Sequence, residues 1–153
     1  MFLKTYIKYI SKEFFEIIVK ISLVFYSLIL ILTIFEELNF FKETQVSLLY
    51  PIFLTFLNSP SVIYDIFPFI FLISTQFFFI RIFDKNELTI YKNFGLNNYK
   101  ILKILTSFTL ILSILIICFF YNLSAKLKFL YLDLKNNYAD DNKYLAVITE
   151  NGL

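Results

Sequence analysis

The chain has 153 residues, of which 59% are hydrophobic and 17% charged, with a formal net charge of +2 and a mean hydropathy of +0.73. A soluble domain is less apolar and keeps a charged surface, so this composition indicates an integral membrane protein and gives no reason to expect nucleic-acid binding. With no histidine and one cysteine, the chain cannot build a histidine–cysteine metal site, a cysteine–histidine nucleophile or a disulfide framework. Its scarcity of glycine and proline favours long helices.

The first apolar segment predicts a transmembrane helix over about residues 15–36. Such a helix is long enough to cross about 30 Å of hydrocarbon. Its one internal charge, Lys20, lies one turn inside and can extend its ammonium group to the interface. A signal peptide is the competing interpretation. Against it, the run is too long, no small-residue cleavage site follows, and Glu13 and Glu16 stand where a basic region is expected.

Residues 48–80 form a second apolar stretch whose only charge is Asp65. As one helix it would be about 50 Å long, which is too long for a single span. The proline-containing cluster at residues 58–61 predicts a break. We therefore expect a short interfacial helix over about residues 46–58 and a second span over about residues 66–83. Asp65, just ahead of that span, is interpreted as a solvated or helix-capping carboxylate.

The third predicted span, at about residues 104–125, contains no charged residue. Three spans place the two ends of the segment on opposite sides of the bilayer. Lysine and arginine are in excess before the first span and in the connection 84–103, which predicts that both are cytoplasmic. Lys126 and Lys128, on the other side by this topology, argue mildly against it.

After residue 125 the sequence becomes more polar. Residues 126–143 are compatible with a helix, and residues 144–149 have the pattern of a β-strand. Because a single strand is not stable by itself, we expect residues 126–153 to be the start of a β-rich domain that is cut short. The expected fold class is therefore an all-α integral membrane protein over residues 1–125, with three transmembrane helices and a short interfacial helix, ending where a β-rich domain begins.

The connection between the second and third spans predicts a cytoplasmic helix over about residues 84–95. Asp84 and Glu87 have the spacing of a capping box, in which Asp84 caps the helix and Glu87 occupies its third position. Gly95 is well placed to end the helix. Its apolar face consists of Leu88, Ile90, Tyr91 and Phe94.

Several short motifs occur in a specific order: Leu57-Asn58-Ser59-Pro60, then Phe67-Pro68, an apolar run with Arg81, and Asn86-Glu87-Leu88-Thr89-Ile90-Tyr91-Lys92-Asn93-Phe94-Gly95-Leu96. In this order and spacing they resemble the LptF/LptG permeases of the lipopolysaccharide-export ABC transporter. The closing residues 149–153 are similar to the point where LptG-like members enter a periplasmic β-jellyroll. The resemblance covers nearly the whole chain but only the N-terminal part of the family, and it does not separate LptF-like from LptG-like members.

The resemblance implies a permease subunit in the bacterial inner membrane that extracts lipopolysaccharide for export to the outer membrane. It implies a paralogous permease, a separate cytoplasmic ABC ATPase and a periplasmic bridge protein as partners. The rest of the jellyroll and three further spans would then be missing from this chain. Neither a cofactor nor an enzymatic activity is expected.

The resemblance also assigns roles to particular residues. Glu87 matches the acidic coupling-helix residue that docks in a groove of the ATPase, and Leu88, Tyr91 and Phe94 would fill that groove. The capping role of Glu87 remains compatible with this one. LptG-like members often carry basic residues near the outer end of the first span to meet lipid A phosphates, and here Lys42 is the single candidate. The neighbouring Glu36 and Glu37 are interpreted as interfacial residues in water.

Two other classes of protein are alternatives. A small self-contained helical membrane protein, acting as an accessory or assembly subunit, would explain the helices but not the strand pattern at residues 144–149. A membrane-embedded enzyme would need clustered ionisable groups within the spans. Only Lys20 and Asp65 come near that position, at opposite ends of the predicted topology, which disfavours this class.

Overall fold

The computed structural model describes residues 2–42, 46–84, 87–93 and 95–138, with side chains except those of residues 2–5, 87 and 88. All regular structure in this part of the chain is helical, as expected from the sequence. The strand predicted at residues 144–149 lies outside the described residues. The helices are α1 (Phe2–Phe40), α2 (Leu49–Asp65), α3 (Phe67–Asp84), α4 (Glu87–Asn93), α5 (Asn98–Leu115) and α6 (Tyr121–Asn136), and a π-helical turn (Ile116–Phe120) joins α5 to α6.

Three segments of the described chain are long and apolar enough to cross a membrane: Tyr6–Phe40, Phe67–Asp84 and Asn98–Asn136. The first has 35 residues and the third 39, or about 50–60 Å of helix. This exceeds the roughly 30 Å of a hydrocarbon core, so these helices extend beyond it. The third continues well past the predicted limit at residue 125, so residues 126–136 are helical.

The outer surfaces of these helices are apolar. Leu23 on α1 is 61% exposed, Leu32 is 65% exposed and Phe119 in the π-helical turn is 73% exposed. Cys118 is exposed in the same turn, which agrees with a lipid-facing thiol. In water such surfaces would be costly, whereas the acyl chains of a bilayer solvate them at no such cost.

The predicted break at residues 58–61 is wrong, because α2 continues through Pro60. Proline removes a backbone donor and usually interrupts a helix. Here apolar side chains are buried on both sides of it, Leu57 before and Ile63 after. Leu57 and Ile63 both stay buried when the helical register continues through Pro60. The packing of these side chains therefore outweighs the low helix propensity of proline. The Ser59 hydroxyl also donates to the backbone carbonyl one turn earlier, which keeps this polar group satisfied.

The chain turns at Ile66 instead, between α2 and α3. Pro68 lies in the first turn of α3, where its missing N–H group costs nothing. The amides of Phe69 and Ile70 both donate to the carbonyl of Ile66, at 3.0 and 3.1 Å, and so begin the new helix. Asp65 is the last residue of α2 and is exposed, which agrees with a solvated carboxylate.

The chain forms two compact units, the first made of residues 1–26 and 66–118. It contains the N-terminal part of α1 together with α3, α4 and α5. One buried cluster connects all four helices, and Phe14 of α1 packs edge-on against Phe78 of α3 with ring centroids 5.4 Å apart. The buried members of this cluster are Ile10, Phe14, Ile17, Ile18, Phe78, Ile82, Tyr91, Leu96, Ile101 and Leu105.

The second unit is made of residues 27–65 and 119–153, of which residues 43–45 and 139–153 lie outside the described part. It contains the C-terminal part of α1, α2 and α6. Its buried cluster is formed by Phe41, Leu54, Leu57 and Tyr131. The Tyr50 hydroxyl donates to the carbonyl of Leu134 at 3.2 Å. Burial, followed by the nearby Tyr138 hydroxyl, raises the pKa of Tyr50 above its ordinary value.

Candidate functional site

The helix α4 is joined to α5 by a tight turn. Gly95 follows α4 with φ +79°, a backbone conformation that favours glycine. The amide of Gly95 donates to the carbonyl of Lys92, and the amide of Leu96 donates to the carbonyl of Tyr91, both at 2.9 Å. This pair of bonds is a Schellman motif, which satisfies carbonyls at the end of the helix. Asn97 then caps the start of α5. The turn therefore leaves little freedom between α4 and α5.

The apolar side of α4 is directed into the first unit. Tyr91 is 3% exposed, and its ring lies edge-on to that of Tyr6 of α1, with centroids 6.1 Å apart. The prediction that Tyr91 fills a groove on a partner is therefore corrected, because its apolar area is already buried within this chain. The described side chains of α4 that face outward are those of Thr89, Ile90, Lys92 and Asn93.

The other predicted contact residues are only partly described. Glu87 is the first residue of α4, but its side chain and that of Leu88 lie outside the described part, as does all of Phe94. Asp84 is the exposed last residue of α3. Residues 85–86, which would form the first turn of the predicted capping box between Asp84 and Glu87, lie outside the described part, so the capping box stays a prediction.

An ion pair between a buried carboxylate and a partly exposed guanidinium group joins α1 to α3 within the first unit. Arg81 Nη2 lies 2.7 Å from Glu13 Oε1, and the Glu13 side chain is 5% exposed. Arg81 stands one turn before the end of α3, on the approach to α4. Sequence reasoning used Glu13 as evidence against a signal peptide and Arg81 as part of the family motif, and missed the pair. The signal that could have suggested this pair is the negative charge of Glu13 in the N-terminal part of α1, which is opposite in sign to Arg81.

A second buried charge cluster lies in the second unit. Lys135 Nζ donates to Glu37 Oε1 at 2.9 Å, and the Tyr131 hydroxyl donates to the same oxygen at 2.7 Å. The side chains of Glu37 and Lys135 are 1% and 8% exposed, and the ammonium group lies 4.5 Å from the centre of the Phe40 ring. The interpretation of Glu37 as a residue in water is therefore wrong, because α6 covers it. Glu36, by contrast, is exposed.

The predicted lipid-phosphate residue, Lys42, is exposed in the turn after α1. The structure places no other basic side chain beside it among the described residues of this turn. Within the described part of the chain, no three histidine, cysteine, aspartate or glutamate side chains are grouped as metal ligands would be. The polar groups that the structure brings together are thus ion pairs between helices, Glu13 with Arg81 and Glu37 with Lys135.

Three long apolar helices, lipid-compatible surfaces and charges neutralised in pairs define a multi-pass helical membrane protein. Residues 8–153 match the family described as lipopolysaccharide export system permease LptF/LptG. The chain therefore belongs to the LptF/LptG family, whose members are permease components of the lipopolysaccharide-export transporter in the inner membrane. Comparison of the chain with curated proteins and with solved structures gives no match.

Proposed function

We propose that the chain acts as a permease subunit driven by a separate cytoplasmic ABC ATPase, and that α4 is the helix through which the ATPase acts. The packing of α4 supports this. Tyr91 and Leu96 are buried in a cluster that also contains residues of α1, α3 and α5. A force on α4 would therefore act on three membrane helices of the first unit together.

The ion pair between Glu13 and Arg81 supports the same proposal. It connects α1 to the end of α3 that leads into α4. A charge-assisted bond of 2.7 Å between the buried Glu13 carboxylate and the partly exposed Arg81 guanidinium group resists separation of the two helices. In this arrangement α1, which is the longest helix of the first unit, moves with α3 when α4 is displaced.

In the proposed assembly, the N-terminus and α4 are cytoplasmic, and the region after α6 enters the periplasm as the start of a jellyroll domain. The chain pairs with a paralogous permease, and a periplasmic bridge protein receives the lipopolysaccharide. Lys42, at the opposite end of α1 from Glu13, is the candidate for a contact with lipid phosphates. A self-contained accessory protein remains the alternative, but the match over residues 8–153 does not favour it.

We further propose that Glu87 is the main polar contact with the ATPase. It begins α4, and the exposed side chain of Ile90, one turn further on, adds apolar area on the outer side. Losing one partner of a buried interfacial charge pair commonly costs about 2–5 kcal/mol. Loss of a capping group costs nearer 1 kcal/mol and affects helix stability instead of association.

Glu87→Ala in the full-length protein is expected to release the ATPase during co-purification while expression and membrane insertion stay unchanged. Asp84→Ala is the matched control, because it removes an exposed carboxylate three residues earlier. Equal weakening by both variants would show that general charge or helix stability is sufficient, and the contact assignment would fail. If neither variant weakens co-purification but Ile90→Asp does, the apolar side carries the docking and Glu87 is misassigned.

A further inference from the structure

The first unit contains an open cleft between the N-terminal part of α1 and one face of α5. Its volume is about 430 Å³, within the range of about 300–1,000 Å³ that is typical of small-molecule sites. The α5 residues that line it recur every three or four positions, so the cleft follows the helix axis. Its apolar wall is formed by Ile7, Leu96, Ile104, Phe108 and Ile111.

The charged groups of the cleft are concentrated at one end. Lys100 and Lys103, in the first two turns of α5, are both exposed and both line it, and no acidic residue is among its described lining residues. Lys100 Nζ donates to the carbonyl of Gly95 at 2.9 Å, which holds its ammonium group at the end nearest α4. Within the described residues, neither lysine forms an ion pair. The cleft therefore combines a long apolar wall with two positive charges at its mouth that have no ion-pair partner among the described residues.

We propose that this cleft binds an acyl chain of an anionic phospholipid, with Lys100 and Lys103 holding the phosphate of its headgroup. The charge pattern selects such an amphiphile, because the ligand must be apolar along its length and negative at one end. Basic pockets between transmembrane helices commonly take anionic headgroups in this way. A whole transmembrane helix, with a diameter of about 10 Å, fits poorly into a cleft of this size.

The leaflet from which the lipid comes rests on the orientation proposed above. Lys100 and Lys103 are on the α4 side of α5, so a cytoplasmic α4 places the headgroup in the cytoplasmic leaflet. The binding itself does not depend on orientation. It can therefore be measured in detergent or nanodiscs, and its failure is distinguishable from failure of the proposed coupling to an ATPase.

The test uses the full-length protein with equal amounts of phosphatidylglycerol and phosphatidylethanolamine, and native mass spectrometry to count the lipid retained. Phosphatidylglycerol is expected to be retained in preference. Each exposed lysine near a lipid phosphate contributes about a fivefold preference, so Lys100→Gln with Lys103→Gln is expected to reduce it about 25-fold. Lys126→Gln with Lys128→Gln, which removes the same charge from exposed positions of α6, is expected to leave it unchanged.

A second measurement locates the acyl chain. Phosphatidylglycerol with a photoreactive acyl chain is expected to label the α5 segment 104–111, and Ser107→Phe, which fills the cleft but keeps both lysines, is expected to abolish that labelling. Equal retention of the two lipids, equal effects of the two double-lysine variants, or labelling confined to other segments would each overturn the proposal. Capture of a protein helix by a photoreactive residue at position 107 would overturn it in favour of a subunit contact.

Discussion

Adjacent acidic residues of this chain have opposite environments. Glu36 and Glu37 are equivalent in the sequence pattern, but successive residues of a helix point about 100° apart. Glu36 is exposed, whereas Glu37 is covered by α6 and accepts hydrogen bonds from Tyr131 and Lys135. Its second carboxylate oxygen, Oε2, is buried without a hydrogen-bond partner among the described residues. Such a carboxylate depends strongly on its one cationic neighbour.

Replacing that neighbour tests this dependence. Lys135→Met is expected to lower the free energy of unfolding by about 3–5 kcal/mol, because it leaves the Glu37 carboxylate buried and uncompensated. The measurement is thermal unfolding in detergent, followed by circular dichroism. The double variant Glu37→Gln with Lys135→Met is expected to recover most of the loss, since it removes both charges together.

The matched control is Glu36→Gln, which changes an exposed carboxylate one residue away. Surface substitutions usually alter stability by no more than about 0.5 kcal/mol. If Lys135→Met has as small an effect as Glu36→Gln, the buried pair does not stabilise the second unit. An unfolding temperature of the double variant below that of Lys135→Met would show that the hydrogen bonds, and not charge balance, are what matters.

At the scale of elements, the connection from α4 to α5 is the segment on which the proposed coupling depends. A Cβ atom placed on Gly95 would meet nothing within 4 Å, so crowding does not require glycine there. The φ angle of +79° is what favours glycine at this position, because L-residues with a side chain adopt this conformation only at a cost in free energy. The requirement is thus a property of the backbone alone.

Gly95→Ala is expected to destabilise the Schellman motif by about 1–2 kcal/mol through this backbone strain. Amide hydrogen exchange should report it as faster exchange at Gly95-adjacent positions and through α4, with α2 and α6 unaffected. Gly95→Asn should exchange more slowly than Gly95→Ala, because asparagine tolerates positive φ better than alanine. Identical exchange in the two variants would indicate that the motif does not control the order of α4.

At the scale of the whole molecule, orientation in the membrane is the property that the helices alone leave open. The lysine and arginine distribution favours a cytoplasmic N-terminus and a cytoplasmic connection between α3 and α5. Both the action of an ATPase on α4 and the leaflet of the proposed lipid depend on this orientation. It is therefore the most consequential quantity to measure.

Cysteine labelling from outside intact cells, in a Cys118→Ser background, measures orientation directly. Asn136→Cys at the end of α6 is expected to react with a membrane-impermeant maleimide once the outer membrane is permeabilised. Asn97→Cys, between α4 and α5, is expected to react only after the inner membrane is opened. Asn97, before the start of α5, and Asn136, at the end of α6, thus serve as controls for each other. Reaction of Asn97→Cys from outside would exclude both the topology and the proposed docking of an ATPase on α4.

The sequence by itself determined the helical membrane character of the protein, because apolar runs and the scarcity of glycine and proline are local properties. It also determined the family, through the order of short motifs around residues 57–96. It is compatible with Pro68 in a first turn, where a local rule is sufficient. In contrast, it placed a break at Pro60, where the local rule is outweighed by side chains buried on both sides of the proline.

Only the tertiary structure decided which polar and aromatic side chains are internal. Tyr91 packs against Tyr6, Arg81 pairs with Glu13, and Glu37 is enclosed with Lys135, and each contact joins residues far apart in the chain. Such pairs depend on which helix faces are brought together, and one amphipathic pattern is compatible with several partners. The spacing of residues within a helix specifies a face, but what covers that face is decided by packing between helices.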